Sequence, residues 1–469
     1  MTDFLLLVQS QQESYYSSRS LLKHFRLHSS DNIDHKIIES GPSDFKKVVM
    51  QPDIMPIRGV RWRIPIVLAV TVFVNYLDRN NLALALPRIA QDFGWSNREI
   101  GSNGELLLAA FFLPYAVSNI LLSRVAERFG SKHSVIAAIT AFSLFTILSG
   151  FNGQSLTSLI VLRLLLGFGE GVHIPMLSVL TSRWFPVSER SRANAIWGAG
   201  ILLATATAPL IIVPLINIIG WRPTFAAIGV VGMLVSIPLV WSIVQDAPHC
   251  NSSVSDAELA YIRAGQKISD IADITTSQIS YVRSKQFWLA VLGGTLNAFC
   301  AFGMLNWLST YFNRAKGIDF ERLGWPLFLI FAVGIVGVFF MAFLGDHLQR
   351  RTLLASVGFL IAGVMVYIAS NVNRLELLVL FFALAVFFQS AYTAQEYAIV
   401  QRLLPPERIG AGTGLYNGLA VLFGGVGGSL IPGSIVAMTG SFDAGMFSIV
   451  VGALITAFVM LLLARTIKY

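Results

Sequence analysis

Four ionisable residues lie inside two otherwise apolar segments of the chain: Asp78, Arg79, Arg163 and Glu170. An ionised side chain at the centre of a bilayer costs about 2.5–3.5 kcal/mol even on insertion scales, so such residues face a wet cavity and pair with one another. Arg163 and Glu170 are about two helical turns apart and therefore share one face, whereas the adjacent Asp78 and Arg79 diverge by about 100° around their helix. A buried guanidinium matches a carboxylate bidentately, which favours Arg79 as the anchor of an organic anion. The alternative is a purely structural salt-bridge network between the two helices.

The composition indicates that these segments lie in a membrane. Only 13% of the 469 residues are charged and 55% are apolar, whereas soluble domains carry about 25% charged residues. From Ile64 onward, apolar stretches long enough for a span of ~20 residues recur twelve times, the first from about Ile64 to Leu86 and the fourth from about Ser155 to Leu180. We therefore expect an all-α membrane protein with twelve transmembrane helices in two pseudo-symmetric six-helix bundles.

Several functional classes are excluded by what the sequence does not contain. Its two cysteines provide no disulfide framework, and no metal-ligand spacing is present. No phosphate-binding loop of the GxxxxGK[ST] type and no hydrolase or kinase signature is found, which argues against an ATP-driven pump and against an enzyme. We expect no cofactor, no metal and no catalytic residues.

The sequence divides into four regions. Residues 1–63 are polar and are expected to form a disordered cytoplasmic tail. Residues 64–244 form the first six-helix bundle, residues 245–285 a cytoplasmic linker with a short helix after a capping box at Ser255–Glu258, and residues 286–469 the second bundle. Lys and Arg concentrate in the loops on the side of the termini, which predicts a multi-pass cell-membrane protein with both termini in the cytoplasm.

The two halves repeat a charged pattern in equivalent loops. Glu127 and Arg128 follow the second helix, and Asp346 and Arg350 follow the eighth. The pattern resembles the Gly-x-x-x-Asp-Arg-x-Gly-Arg-Arg motif of the major facilitator superfamily, although both copies lack the leading glycine and the first has Glu in place of Asp. The resemblance implies a cytoplasmic gate in which the acidic residues pair with arginines and hold the inner side shut. Alternatively, the arginines serve only as topology signals.

Three further segments carry a narrower resemblance. Residues 75–79, 163–175 and 184–190 are similar to motifs of the anion:cation symporter family, whose members carry sugar acids such as galactonate, glucarate and hexuronates, aromatic acids and sialic acid. The resemblance implies that Arg79 binds the substrate anion with Tyr76 as a hydrogen-bonding neighbour. It also implies that Asp78 and Glu170 carry protons, with Arg163 as a partner that switches between them.

Two polar residues of the second half complete the predicted substrate site. Asn417 lies near the start of the eleventh helix, where family members place a contact to substrate hydroxyls. Alternatively, Asn417 only forms hydrogen bonds that hold neighbouring helices together. Glu396 on the tenth helix either faces the substrate, where it disfavours a second negative charge, or turns toward Tyr392, Gln395 or an inner arginine. Weaker candidates are Tyr115, Asn119, Asn297, Asn306 and Tyr311.

Together these features predict a secondary active transporter. We expect proton-coupled symport, that is uptake, of a small organic anion, a sugar acid or other monocarboxylate, by alternating access. The alternative is an exporter or antiporter of metabolites or drugs of the same superfamily. The expected partners are the organic anion, protons as coupling ion and the lipid bilayer, with no nucleic acid and with the monomer as the functional unit.

Overall fold

A computed structural model describes residues 59–270, 281–404 and 409–466 of the chain. All regular structure in these ranges is helical, and twelve helical segments within them are long and apolar enough to cross a membrane. This confirms the predicted class of fold. The predicted N-terminal tail lies outside the described residues as far as residue 58, and residues 271–280 of the predicted linker lie outside them as well.

The helices of the first half make six spans, and the second and fourth of these are each broken into two helices. They are α1 (Arg63–Asp92), α2 (Asn97–Ala109) with α3 (Phe112–Phe129), α4 (Ser131–Asn152), α5 (Leu156–Glu170) with α6 (His173–Trp184), α7 (Val187–Ile219) and α8 (Trp221–Ile243). The first helix continues past its predicted end at Leu86 and ends at Asp92. Its last turns carry the charged residues Arg88 and Asp92, whose side chains can reach out of the apolar part of the span.

A linker helix and six unbroken spans follow. They are α9 (Asp256–Asp270), α10 (Lys285–Arg314), α11 (Gly324–Leu348), α12 (Arg351–Ser370), α13 (Leu375–Arg402), α14 (Ile409–Thr439) and α15 (Phe442–Thr466). The same helix pairs pack together in both halves. Helix α1 packs on α7 in the first half, and the equivalent helices α10 and α14 pack together in the second. Likewise, α4 packs on α8, and the equivalent helices α12 and α15 pack together. The two halves meet where α2 packs on α14 and α7 packs on α11, so the contacts within and between the six-helix bundles follow one pseudo-twofold relation.

The two bundles pack closely against each other on one side of the molecule. Because the spans are even in number, α1 begins and α15 ends on the same side, called here the near side; the opposite side is the far side. On the far side Gly101 of α2 lies against α14, where an added Cβ would be 2.4 Å from the main-chain nitrogen of Ala437. The Ser309 hydroxyl donates to the Leu84 carbonyl, at 3.3 Å, across the same interface. The glycine at position 101 therefore permits main chains of the two halves to close the far side.

The linker helix is tied to the first bundle by a buried carboxylate. As the capping box predicts, the Glu258 N–H donates to the Ser255 hydroxyl at 3.2 Å. The Glu258 side chain, however, accepts from the N–H groups of Val60 and Arg61, each at 3.2 Å, and from the Arg61 guanidinium at 2.9 Å. Arg61 also donates to Glu189 at 2.9 Å. These bonds join the start of α1, the start of α7 and the linker helix α9.

Candidate functional site

An ion pair between Arg79 of α1 and Glu170 at the end of α5 lies in the interior of the first bundle. The Nε and Nη2 atoms of Arg79 both donate to Oε1 of Glu170, the Nε bond at 3.0 Å. Arg79 is 7% exposed and Glu170 is fully buried. The structure thus brings together two of the residues that the sequence predicted, and removal of either partner would leave a buried charge without compensation.

Three aromatic rings surround the guanidinium of Arg79. Its Cζ lies 4.7 Å from the ring centre of Tyr76, 4.6 Å from that of Phe111 and 4.9 Å from that of Tyr115. The guanidinium also donates to the Tyr76 hydroxyl at 3.4 Å. The rings stabilise the cation by cation–π interaction and shield it from lipid. The structure brings Tyr76 next to Arg79, whereas no sequence feature singled out Phe111, because nothing in an apolar run distinguishes one phenylalanine from its neighbours.

Close helix packing holds these rings in place. The break between α2 and α3 lies beside the fourth span, where an added Cβ at Gly167 would be 2.3 Å from the Phe111 carbonyl oxygen. At Gly171, in the break between α5 and α6, an added Cβ would be 2.6 Å from the Tyr115 carbonyl oxygen. Larger residues at these glycines would push the two broken spans apart and move the aromatic rings away from the guanidinium.

Asp78 and Arg163 are held mainly by neutral groups. Oδ1 of Asp78 accepts from the Thr146 hydroxyl at 2.5 Å and from the Asn81 amide at 2.9 Å. Arg163 donates through Nη2 to the main-chain oxygen of Arg79 at 3.0 Å. Within the described part of the chain, Oδ2 of Asp78 and Nε of Arg163 have no hydrogen-bond partner. Thr146 on α4 was not predicted, since a threonine in an apolar run is more often a packing residue.

A cavity of about 380 Å³ lies between the two bundles. The first half contributes Tyr76 and three residues of α7, and the second half contributes the remaining lining, including Glu396, Tyr397 and Asn417. Tyr397 is 46% exposed and Asn417 is exposed as well. Both lie toward the near-side ends of their helices, so the cavity opens to the near side. Arg79 itself is not among the described lining residues, but it contacts Tyr76, which is one of them.

Glu396 lines the cavity and is hydrogen-bonded to Tyr416, a partner that neither hypothesis named. Oε1 of Glu396 accepts from the Tyr416 hydroxyl at 2.8 Å, and the Tyr416 and Tyr392 hydroxyls are 2.9 Å apart. Asn417 accepts at 3.4 Å from the Tyr397 hydroxyl. Tyr416 was missed as the direct partner because it lies on α14 rather than on the helix of Glu396.

The charged loops on the near side form ion pairs within each half. Glu127 pairs with Arg183 at 3.3 Å in the first half, and Asp346 pairs with Arg351 at 2.7 Å in the second. The two other predicted gate residues, Arg128 and Arg350, are exposed. These pairs do not cross between the bundles, as expected of a conformation in which the far side is the closed one.

Comparison with known proteins finds relatives over most of the chain. The model of the Major Facilitator Superfamily matches residues 68–428 and 314–468. The probable galactarate/D-glucarate transporter of Escherichia coli K12 is 28% identical over 87% of this chain and 94% of its own length. The probable sulfoacetate transporter of Cupriavidus necator is 29% identical over 80% of this chain and 87% of its own length.

A solved structure shows the same fold. A bacterial homologue of the human lysosomal transporter Spinster, crystallised in an inward-facing and unoccupied conformation, aligns with a TM-score of 0.71 and 19% identity, covering 87% of this chain and 98% of that chain. The family match extends over most of the twelve spans, and the architecture agrees with it. The chain is therefore a multi-pass membrane transporter and not an enzyme, and it belongs to the Major Facilitator Superfamily.

Proposed function

We propose that the chain is a proton-coupled symporter that takes up a small organic monocarboxylate by alternating access. The observation that carries the proposal is the buried pair of Arg79 and Glu170, whose guanidinium contacts the cavity residue Tyr76. A guanidinium held in a pocket of aromatic rings binds a carboxylate more readily than a hydrated lysine does. The names of the two relatives, transporters of galactarate or glucarate and of sulfoacetate, support an anionic substrate.

Substrate and proton are coupled in this proposal by an exchange of partners on Arg79. Without substrate, the guanidinium is neutralised by Glu170. When a substrate carboxylate takes that place, Glu170 remains fully buried without its counter-ion, which is costly unless it binds a proton. One proton therefore accompanies one monoanion, and no net charge is added to the site.

Asp78 and Arg163 are assigned supporting parts in the proton pathway. Asp78 is the second site that this one proton occupies on its way through the protein, since Asp78 is buried and its Oδ2 has no donor among the described residues. Arg163 is the cation that moves between the two carboxylates. It contacts the main chain of Arg79, so a shift of α1 against α5 during the transport cycle changes which carboxylate it faces.

The cytoplasmic gate and the orientation complete the proposal. The near side faces the cytoplasm, which puts both termini there, and the protein works as a monomer in the cell membrane. When the cavity opens to the far side, the near-side ends approach, and Glu127 with Arg128 and Asp346 with Arg350 hold them together. In the second half, Glu396 and Asn417 contact the substrate from the opposite wall of the cavity.

The proposal is tested by uptake into proteoliposomes with and without an inward proton gradient. The probe is the radiolabelled acid that most raises the melting temperature of the purified protein in a panel of organic acids. Arg79→Lys should lose saturable uptake nearly as completely as Arg79→Ala, because a point charge does not reproduce the two-nitrogen contact. Arg88→Lys on the same helix, outside the cavity, is the matched control. Normal affinity in Arg79→Lys would refute the anchor role, and proton-driven efflux would favour the exporter.

A further inference from the structure

His173 is a buried imidazole to which the proposed transport cycle gives no role. It begins α6 and is fully buried in the first bundle. Its ring makes an edge contact with Phe142 of α4, with 5.9 Å between the ring centres. Within the described part of the chain, neither ring nitrogen has a hydrogen-bond partner. Because a buried polar group without a partner costs about 1–3 kcal/mol, an apolar side chain of similar size would be more stable at this position.

His173 lies just beyond Glu170 in the direction of the near side. The fourth span runs from the far side to the near side, and the two residues of its break, Gly171 and Val172, keep right-handed helical main-chain angles. His173 therefore follows Glu170 by three residues on nearly the same face, ~4.5 Å closer to the near side. At this spacing the carboxyl group and the imidazole can exchange a proton directly or through one water molecule.

The near-side flank of the ion pair carries unpaired polar groups on two helices. Arg79 donates twice to Oε1 of Glu170, whereas Oε2 has no partner among the described residues. Asn75 precedes Arg79 by four residues on α1, which places it toward the near side as well. It is fully buried, and neither atom of its amide is hydrogen-bonded within the described ranges. Oε2 is thus the oxygen that is free to bind a proton, and it has polar neighbours on its near side.

We propose that His173 accepts the coupled proton from Glu170 and passes it toward the near side. This inference rests on the proposed symport and adds a group to its proton path. When the substrate leaves, Glu170 returns to Arg79 as its counter-ion. The O–H bond of the Glu170 carboxyl group then breaks, its electron pair stays on the carboxylate, and an N–H bond forms on His173. The positive charge of Arg79 acts on His173, so the imidazole takes the proton only once Glu170 neutralises that guanidinium.

Two substitutions separate a role in proton transfer from a role in packing. His173→Leu removes both ring nitrogens, and His173→Gln keeps polar atoms that do not ionise. In proteoliposomes with the full-length chain, the initial rate of uptake driven by a proton gradient should fall by about tenfold or more in both variants. Exchange of labelled for unlabelled substrate moves no net proton and should stay within about twofold of the wild-type rate. His133→Gln, at an exposed histidine of α4, is the matched control and should behave like the wild type in both assays.

The melting temperature of the purified protein provides a second readout. Because neither ring nitrogen has a partner among the described residues, His173→Leu should melt no lower than the wild type. Normal proton-driven uptake in both variants, or an equal loss of exchange and proton-driven uptake, would overturn the inference and leave the proposed symport intact. A lower melting temperature of His173→Leu with normal uptake would show that the residue serves packing alone. Absence of proton-driven uptake in the wild type would refute the symport and this inference together.

Discussion

Substitution of Gly101 by alanine should prevent complete closure of the far side. In the closed arrangement an added Cβ would be 2.4 Å from the nitrogen of Ala437 and 2.7 Å from the Gly433 carbonyl oxygen, both main-chain atoms of α14. Ordinary van der Waals contacts of a Cβ begin near 3.4 Å, so α2 and α14 must separate by roughly 1 Å. Overpacking of this kind costs about 1–3 kcal/mol.

That cost falls on one conformation only, because the clash exists where α2 and α14 touch and disappears when the far side opens. The equilibrium should therefore shift toward the far-open conformation by a factor of about 5 to 150. Folding itself should be nearly unaffected, since no contact within either bundle changes. With the uptake direction that we propose, transport should slow, because the protein returns less often to the conformation that releases substrate on the near side.

The shift is measurable as a distance between the two halves on the far side. Spin labels on cysteines introduced at Gln154 and Asn371, which are exposed in equivalent loops, report this distance in a Cys250→Ser background. Gly101→Ala should increase the population with the longer distance. Gly198→Ala is the control, since nothing lies within 4 Å of a Cβ added there. A distance distribution identical to that of the wild type, together with normal uptake, would show that this crossing does not close the far side.

Two further predictions concern buried carboxylates. Glu170→Gln should retain substrate exchange across the membrane but lose accumulation of substrate against a gradient, because the amide binds no proton. If this variant still accumulates substrate with the normal pH dependence, Asp78 rather than Glu170 binds the coupled proton. Glu258→Gln should lower the free energy of unfolding by about 1–3 kcal/mol, since the buried Arg61 loses one of its two carboxylate partners. Its melting temperature is compared with that of Glu376→Gln, an exposed glutamate, and equal values would contradict a stabilising role of the linker helix.

The spans and the charged residues of the first half were predictable, because placing polar or charged groups in the apolar part of a bilayer has a high free-energy cost. A bilayer requires long apolar helices, so the twelve spans appear directly in the sequence. The same cost makes any charge inside them conspicuous, and this singled out Arg79 and Glu170, which the structure pairs. Tyr76 was predicted only through family resemblance, since tyrosine is common in membrane helices for other reasons.

Features that depend on tertiary packing were not predictable. The breaks in the second and fourth spans lie four residues before Pro114 and Pro175, which cannot donate to the carbonyls of Ala110 and Gly171, so the sequence carried a signal for them that was missed. The way in which the two broken spans lie against each other, with Gly167 close to the main chain at Phe111, was not predictable. Thr146 acquires its role from the position of α4 beside Asp78. The bond between Tyr416 and Glu396 depends on how α13 and α14 cross. In each case the local sequence is compatible with several neighbours, and the helix arrangement selects one.

The buried ion pair and most of the cavity wall belong to different halves of the protein. Asp78, Arg79, Arg163 and Glu170 all lie in the first bundle, whereas most of the lining comes from the second. In the mechanism we propose, a mutation in the wall alters which molecule is accepted and leaves the four buried ionisable groups of the first bundle unchanged. A transporter with this arrangement can acquire a new substrate through single substitutions in one half while the groups proposed for ion coupling in the other half stay the same. We therefore expect relatives that carry different substrates to differ mainly in the sequences of α10, α11, α13 and α14.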